Sequence, residues 1–156
     1  IMAFGKVSKI RWWSLGNSTR FFRADPFLLN GKVVYESLDR FRGKGHICIA
    51  DLTGQNEHVL LREKGHLSYP CSLKIGDASY LIPESSDTGQ CILYRVLDDG
   101  ELDKVAEIDA PIVDGTLFFN DGVYWIFGSL KSGKKHGLYL WFSNELGGIC
   151  SFIRGT

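Results

Sequence analysis

The sequence predicts an all-β, propeller-like fold built from three four-stranded antiparallel blades. Two observations carry that reading. The first is a repeat. Ala24-Asp25-Pro26-Phe27-Leu28-Leu29, Ser68-Tyr69-Pro70-Cys71-Ser72-Leu73 and Val113-Asp114-Gly115-Thr116-Leu117-Phe118 resemble one another at steps of 44 and 45 residues. A period of about 45 residues that holds four short strands is that of one propeller blade. The second is composition. Aromatics make up 13% of the chain and glycines number 18 against 4 prolines, a balance that favours short strands joined by tight turns.

The elements follow in order. Residues 1–22 read as lead-in strand or strands, and the blades fall at about 23–65, 66–110 and 111–156. Each repeated segment is the innermost strand of its blade. It runs into a turn at Asn30-Gly31, Ile75-Gly76-Asp77 or Asn120-Asp121-Gly122. Asn-Gly and Asp-Gly accept the positive φ that tight hairpins need. The second strands are Lys32-Val33-Val34-Tyr35-Glu36, Tyr80-Leu81-Ile82-Pro83-Glu84 and Tyr124-Trp125-Ile126-Phe127-Gly128. They are apolar on both sides of the pleat, as in sheets packed between other sheets. Third strands follow at 47–50, 92–95 and 138–141, and fourth strands at 58–62, 104–108 and 150–154. No helix is expected, since Asp98-Asp99-Gly100 within 97–110 reads as a hairpin tip. An irregular sandwich or barrel of the same strands is the alternative. A closed ring takes about four to eight blades, so three imply a longer protein or copies that assemble into a ring.

Composition also narrows function. Eighteen basic residues balance eighteen acidic ones. A dedicated nucleic-acid or anionic-membrane binder would carry a basic excess. No apolar run approaches the ~20 residues of a membrane span, and Lys6, Lys9 and Arg11 interrupt the start before a signal core forms. Ile1 ahead of Met2 points to an added residue or a piece of a longer chain. Cys48, Cys71, Cys91 and Cys150 form no C-x-x-C pair, which leaves a zinc site unsupported. Cys48 and Cys71 sit in apolar runs, as buried thiols do, and a reducing, cytoplasmic setting is expected.

Asp25, Tyr69 and Asp114 share one repeat position at the start of the innermost strands. In a propeller that position lines the central channel. Two carboxylates and a phenol converging there suit sugar hydroxyls, a cation or a basic side chain; the bland alternative is that each Asp caps a turn. Glu36 and Glu84 form a second equivalent pair, each followed by a serine, Ser37 or Ser85. Such a Glu usually faces solvent. Pro83 marks an edge or a bulge, which favours Glu84 as the functional member. His66 precedes the second innermost strand and reaches toward the channel mouth, whereas His46, His58 and His136 show no ligand spacing, so no metal is expected. Serine-nucleophile and phosphate-loop motifs are absent, and the Lys-rich stretch 128–135 reads as a solvated hairpin loop. Trp125 and Trp141 read as core, while Trp12 and Trp13 precede the first blade.

Arg23-Ala24-Asp25-Pro26-Phe27-Leu28, His66-Leu67-Ser68-Tyr69-Pro70, Ile82-Pro83-Glu84-Ser85 and Val113-Asp114-Gly115-Thr116-Leu117-Phe118 together resemble a known domain. It is the propeller domain of plant glucosamine inositolphosphorylceramide transferases and of bacterial proteins that join it to a sugar formyltransferase-like domain. That domain is similar in turn to five-bladed arabinanase- and xylosidase-type glycosidases. The resemblance covers residues 20–146 and implies a partial five-bladed propeller. It makes Asp25 the match for a general base, and Asp114 the match for an Asp that tunes the acid and orients the sugar. The general acid of those enzymes is a Glu of the fourth blade, with no counterpart here; Glu84 could stand in off position. Inverting hydrolysis needs two carboxyl groups ~6.5–9.5 Å apart.

The leading expectation is therefore a sugar- or glycan-binding propeller, an accessory to a sugar-modifying domain and not catalytic alone. Asp25, Asp114 and Glu84 are its catalytic-type candidates, and Tyr69, His66, Arg23 and Glu36 its ligand-contact candidates. A glycosidase using Asp25 as base, and a pure protein-interaction propeller, are the other two readings. No cofactor is implied. Self-association, or a fused or partner domain, would complete the ring.

Overall fold

The computed structural model describes residues 18–131, 137–146 and 151–154. Trp12, Trp13, His136, Cys150, the Lys-rich stretch 132–135 and most of the lead-in lie outside them. The fold is all-β, with three four-stranded antiparallel sheets in simple meander order. The first holds β1 (Phe21–Leu29), β2 (Lys32–Asp39), β3 (Lys44–Asp51) and β4 (His58–Leu61). The second holds β5 (Ser68–Ile75), β6 (Ala78–Glu84), β7 (Cys91–Val96) and β8 (Leu102–Ile108). The third holds β9 (Ile112–Asn120), β10 (Val123–Leu130), β11 (Tyr139–Ser143) and β12 (Ser151–Arg154). The helical element among the described residues is one 3-10 turn, Ser86–Thr88.

Turn chemistry explains the meanders. Gly31, Gly76, Gly100 and Gly122 all stand at positive φ, and Asn30 and Asp121 share the tips with them. Asp98-Asp99-Gly100 is a hairpin tip, closed by the Gly100 N–H on the Leu97 carbonyl at 2.9 Å. β1 begins at Phe21, inside the expected lead-in, and β11 begins at Tyr139, after the exposed Leu138.

β5 packs against β1, and β9 against β5, so the first strands of the three sheets are neighbours. Two apolar layers fill the gaps between sheets. Leu29, Val34, Ile47 and Ile49 of the first sheet meet Leu67, Leu81 and Tyr94. Cys71, Tyr80, Ile82, Cys91 and Leu93 of the second meet Ile112, Leu117, Ile126 and Trp141. Burying both faces of the second sheet is what makes β6 almost wholly apolar. Cys48 and Cys71 are buried free thiols, and Cys91 is buried as well.

The outer face of the third sheet differs. Phe118 and Phe142 flank Trp125, and Thr116 and Leu140 flank Phe127, across the ladders. Trp125 packs against Phe142 at 5.4 Å, yet Phe118 stays 49% exposed. Trp125, expected in the core, is thus half-buried on this face, while Trp141 is core at 4% exposure.

Candidate functional site

Each sheet carries the same defect at the same place. The β1–β2 register shifts between Ala24 and Phe27, and the β5–β6 register between Ser68 and Cys71. The β9–β10 register shifts between Val113 and Thr116, the partners of Ser129 and Phe127. Two residues of each first strand are left outside the ladder: Asp25-Pro26, Tyr69-Pro70 and Asp114-Gly115. The leading residue of each pair has positive φ: Asp25 at 50°, Tyr69 at 41° and Asp114 at 52°. Asp tolerates the left-handed region because its short side chain bonds locally. Tyr does not, and holding it there costs about 1–3 kcal/mol, a signature of functional sites.

The bulges explain two other sequence features. Pro83 lies opposite the Tyr69-Pro70 bulge, where the ladder requires no N–H. It is fully buried and belongs to β6, an inner strand, so it marks a bulge rather than an edge. The residues paired just before each bulge are Glu36, Glu84 and Ser129. The repeat therefore supplies two positions per sheet: Asp25, Tyr69 and Asp114 on the first strands, and Glu36, Glu84 and Ser129 on the second.

The four acidic side chains at these positions converge. Burial first, then the charges of Asp25 and Glu84, pushes the Glu36 carboxyl up to about 7. Burial, then Glu84 and Asp25, also raises Asp114. Asp25 and Glu84 therefore lie within electrostatic reach of both. Glu84 is held in place: its Oε1 accepts from Ser86 Oγ at 2.7 Å, and its Oε2 accepts from the Asp114 N–H at 3.3 Å. Among the described residues, no three His, Cys, Asp or Glu side chains are grouped to hold a metal ion.

Glu36 is only 6% exposed, although the sequence favoured Glu84 as the functional member. The His66 ring stands over it, with Nε2 at 3.5 Å from Glu36 Oε1. The Gly45 N–H donates to His66 Nδ1 at 2.9 Å. Nδ1 is thus an acceptor, so the proton of neutral His66 sits on Nε2, facing Glu36. A Cβ on Gly45 would lie 2.3 Å from the Leu67 carbonyl oxygen, 2.7 Å from Glu36 Oε1 and 2.9 Å from His66 Cε1. Only glycine lets β3 come this close. The His66 backbone N–H donates to Asp87 Oδ2 at 3.4 Å, and Asp87 also pairs with Lys131, which holds its carboxyl below the usual range.

Tyr69 stands edge-on to Phe27, with centroids 5.1 Å apart, and its hydroxyl shares a hydrogen bond with Thr116 Oγ1 at 3.1 Å. Arg23 is engaged elsewhere, in a 2.7 Å pair with Glu57. The structure thus gathers Asp25, Glu36, Glu84, Asp114 and His66, keeps Tyr69 at the same repeat position, and seats Arg23 on Glu57. Sequence reading missed Gly45, Ser86, Asp87 and Thr116. Gly45 alone left a signal, as a glycine inside an apolar strand.

A family model described as glucosamine inositolphosphorylceramide transferase 1, N-terminal, matches residues 12–151. The chain belongs to this family. It is 34% identical to glucosamine inositolphosphorylceramide transferase 1 of Arabidopsis thaliana, over 80% of this chain and 18% of that protein. It is 32% identical to the protein of the same name from Oryza sativa subsp. japonica, over 80% of this chain and 19% of that one. The chain therefore spans less than a fifth of the curated relatives it matches. Among the described residues, no helix is long and apolar enough to cross a membrane.

Proposed function

We propose that this domain binds a sugar at the carboxylate cluster and serves a sugar-modifying enzyme, without being catalytic alone. The carrying observation is the convergence of Asp25, Glu36, Glu84 and Asp114 from four strands of three bulged sheets, with His66 against Glu36. Carboxylates accept hydrogen bonds from vicinal hydroxyls, and bulges aim them away from the sheet. Membership in a family named for a glucosamine transferase supports a carbohydrate context. On this reading the three sheets are consecutive blades around an axis lined by β1, β5 and β9. The outer face of the third sheet is then the seat of a further blade. Phe127 on that face repeats Val34 and Ile82, which face the next sheet in the two interfaces present.

A glycan array tests the sugar reading. Wild type should show saturable binding, and Asp25→Asn with Asp114→Asn should lose it while keeping the β-sheet circular dichroism. Uniformly blank wild-type arrays would sink the reading.

One observation favours a second, glycosidase-like reading. A carboxyl group pushed up to about 7 is about half protonated at neutral pH, which suits a general acid. Glu36, not Glu84, would then be the acid and Asp25 the base. Hydrolysis that survives Glu36→Gln unchanged would end this alternative.

A further inference from the structure

Below the β2–β3 turn lies a cavity of about 190 Å³ that shares only Gly45 with the carboxylate site. Its floor is Phe21, Asp39, Gly45 and His46, and its rim is Arg20, Arg42, Lys44, Arg62 and Glu63. Three separate segments contribute: the start of β1, the β2–β3 hairpin, and the residues just after β4.

The charges do not cancel. Asp39 is consumed: Arg20 donates to its Oδ2 from Nε at 3.1 Å and from the guanidinium terminus at 2.7 Å. The N–H groups of Phe41 and Arg42 donate to its Oδ1 at 3.0 and 3.3 Å. These bonds hold the Asp39 carboxyl below its usual range. With Arg20 and Asp39 neutralising one another, Arg42, Lys44 and Arg62 face Glu63 alone. Lys44 is steered by a 2.6 Å bond to the Lys64 carbonyl oxygen, which consumes no charge. His46 on the floor is buried, and burial followed by the positive charge of Arg62 lowers its pKa. The floor is therefore neutral near pH 7, and on the rim three cations outweigh one carboxylate.

We propose that this cavity binds a tetrahedral oxyanion, as a phosphate or sulfate ester or the free ion. Two guanidinium forks and an ammonium around a concave, partly apolar floor match that chemistry, because Arg bonds an oxyanion through two parallel N–H groups. The ester-bearing portion would rest on Phe21. The proposal rests on this cavity alone and not on the sugar reading, so either can fail by itself.

The test is a thermal-shift and titration series at constant ionic strength, set with chloride. The probes are inorganic phosphate, sulfate and a hexose 6-phosphate. Phosphate and the ester should raise the melting temperature above chloride. Arg42→Gln with Arg62→Gln should weaken affinity by about tenfold or more, the loss of about 1.4 kcal/mol. Both side chains are exposed, so the fold should persist, and Lys74→Gln on β5 is the matched control. Tighter binding of the hexose 6-phosphate than of phosphate would assign the ester; the reverse would assign the free ion. No response beyond chloride, or an undiminished response in the double variant, would overturn the proposal.

Discussion

Glu36 and Glu84 occupy the same repeat position, each paired with the residue before a bulge, yet they are chemically different groups. Glu36 is closed in by Gly45 and the His66 ring, and burial pushes it up to about 7. Glu84 is half-buried and already holds two donors, Ser86 and the Asp114 N–H. The backbone repeat fixes where a carboxylate stands. What fixes its surroundings is the neighbouring segment, and the two sheets differ there: β3 offers a glycine, whereas the 3-10 turn offers a hydroxyl.

The largest break in that comparison comes from Gly45→Ala. Its Cβ would collide with backbone at Leu67, which cannot swing aside. A loss of about 3 kcal/mol is expected from overpacking of this kind, read as a fall in the denaturant midpoint.

Glu36→Gln sharpens it. The folded pKa lies above the ordinary carboxylate value of 4.5. Stability contributed by the protonated group is complete below about pH 4.5 and is lost as pH rises through about 7. The Gln variant should match wild type near pH 4 and exceed it by roughly 2–3 kcal/mol at pH 8. Urea melts at the two pH values decide the sign.

Glu84→Gln should do less. The variant keeps an acceptor for Ser86, so a change of about 1 kcal/mol is expected in the same urea melts. A smaller effect still belongs to Tyr69→Phe, which removes the half-buried bond to Thr116 Oγ1 at a cost of about 0.5 kcal/mol. The substituted ring would remain in the left-handed region at this position, so the strain stays.

Much of the fold was legible in the sequence because the repeat and the turns are local. Asn30-Gly31, Asp77 after Gly76, and Asp121-Gly122 place three hairpins without tertiary information. The equivalence of Asp25, Tyr69 and Asp114 was legible for the same reason, and the shared positive φ gives it a physical cause. The rank order of Glu36 and Glu84 was not legible. It depends on Gly45, which lies on a different strand from either bulge pair, and on a histidine that leads into the following sheet. Arg23 read as a ligand contact from its place near Asp25, but the fold sends it to Glu57. Trp125, on the outer face of the third sheet, read as core, since pattern alone does not reveal whether a neighbour covers it.

The most direct test of a single carboxylate site gathered from three bulged sheets is a carboxyl-carbon NMR titration. Glu36 would be assigned by its loss in Glu36→Gln. Its midpoint should lie near 7 and fall in both Asp25→Asn and Glu84→Gln, because each removes a neighbouring negative charge. A midpoint near 4.5 that neither variant moves would mean that the sheets do not bring these groups together.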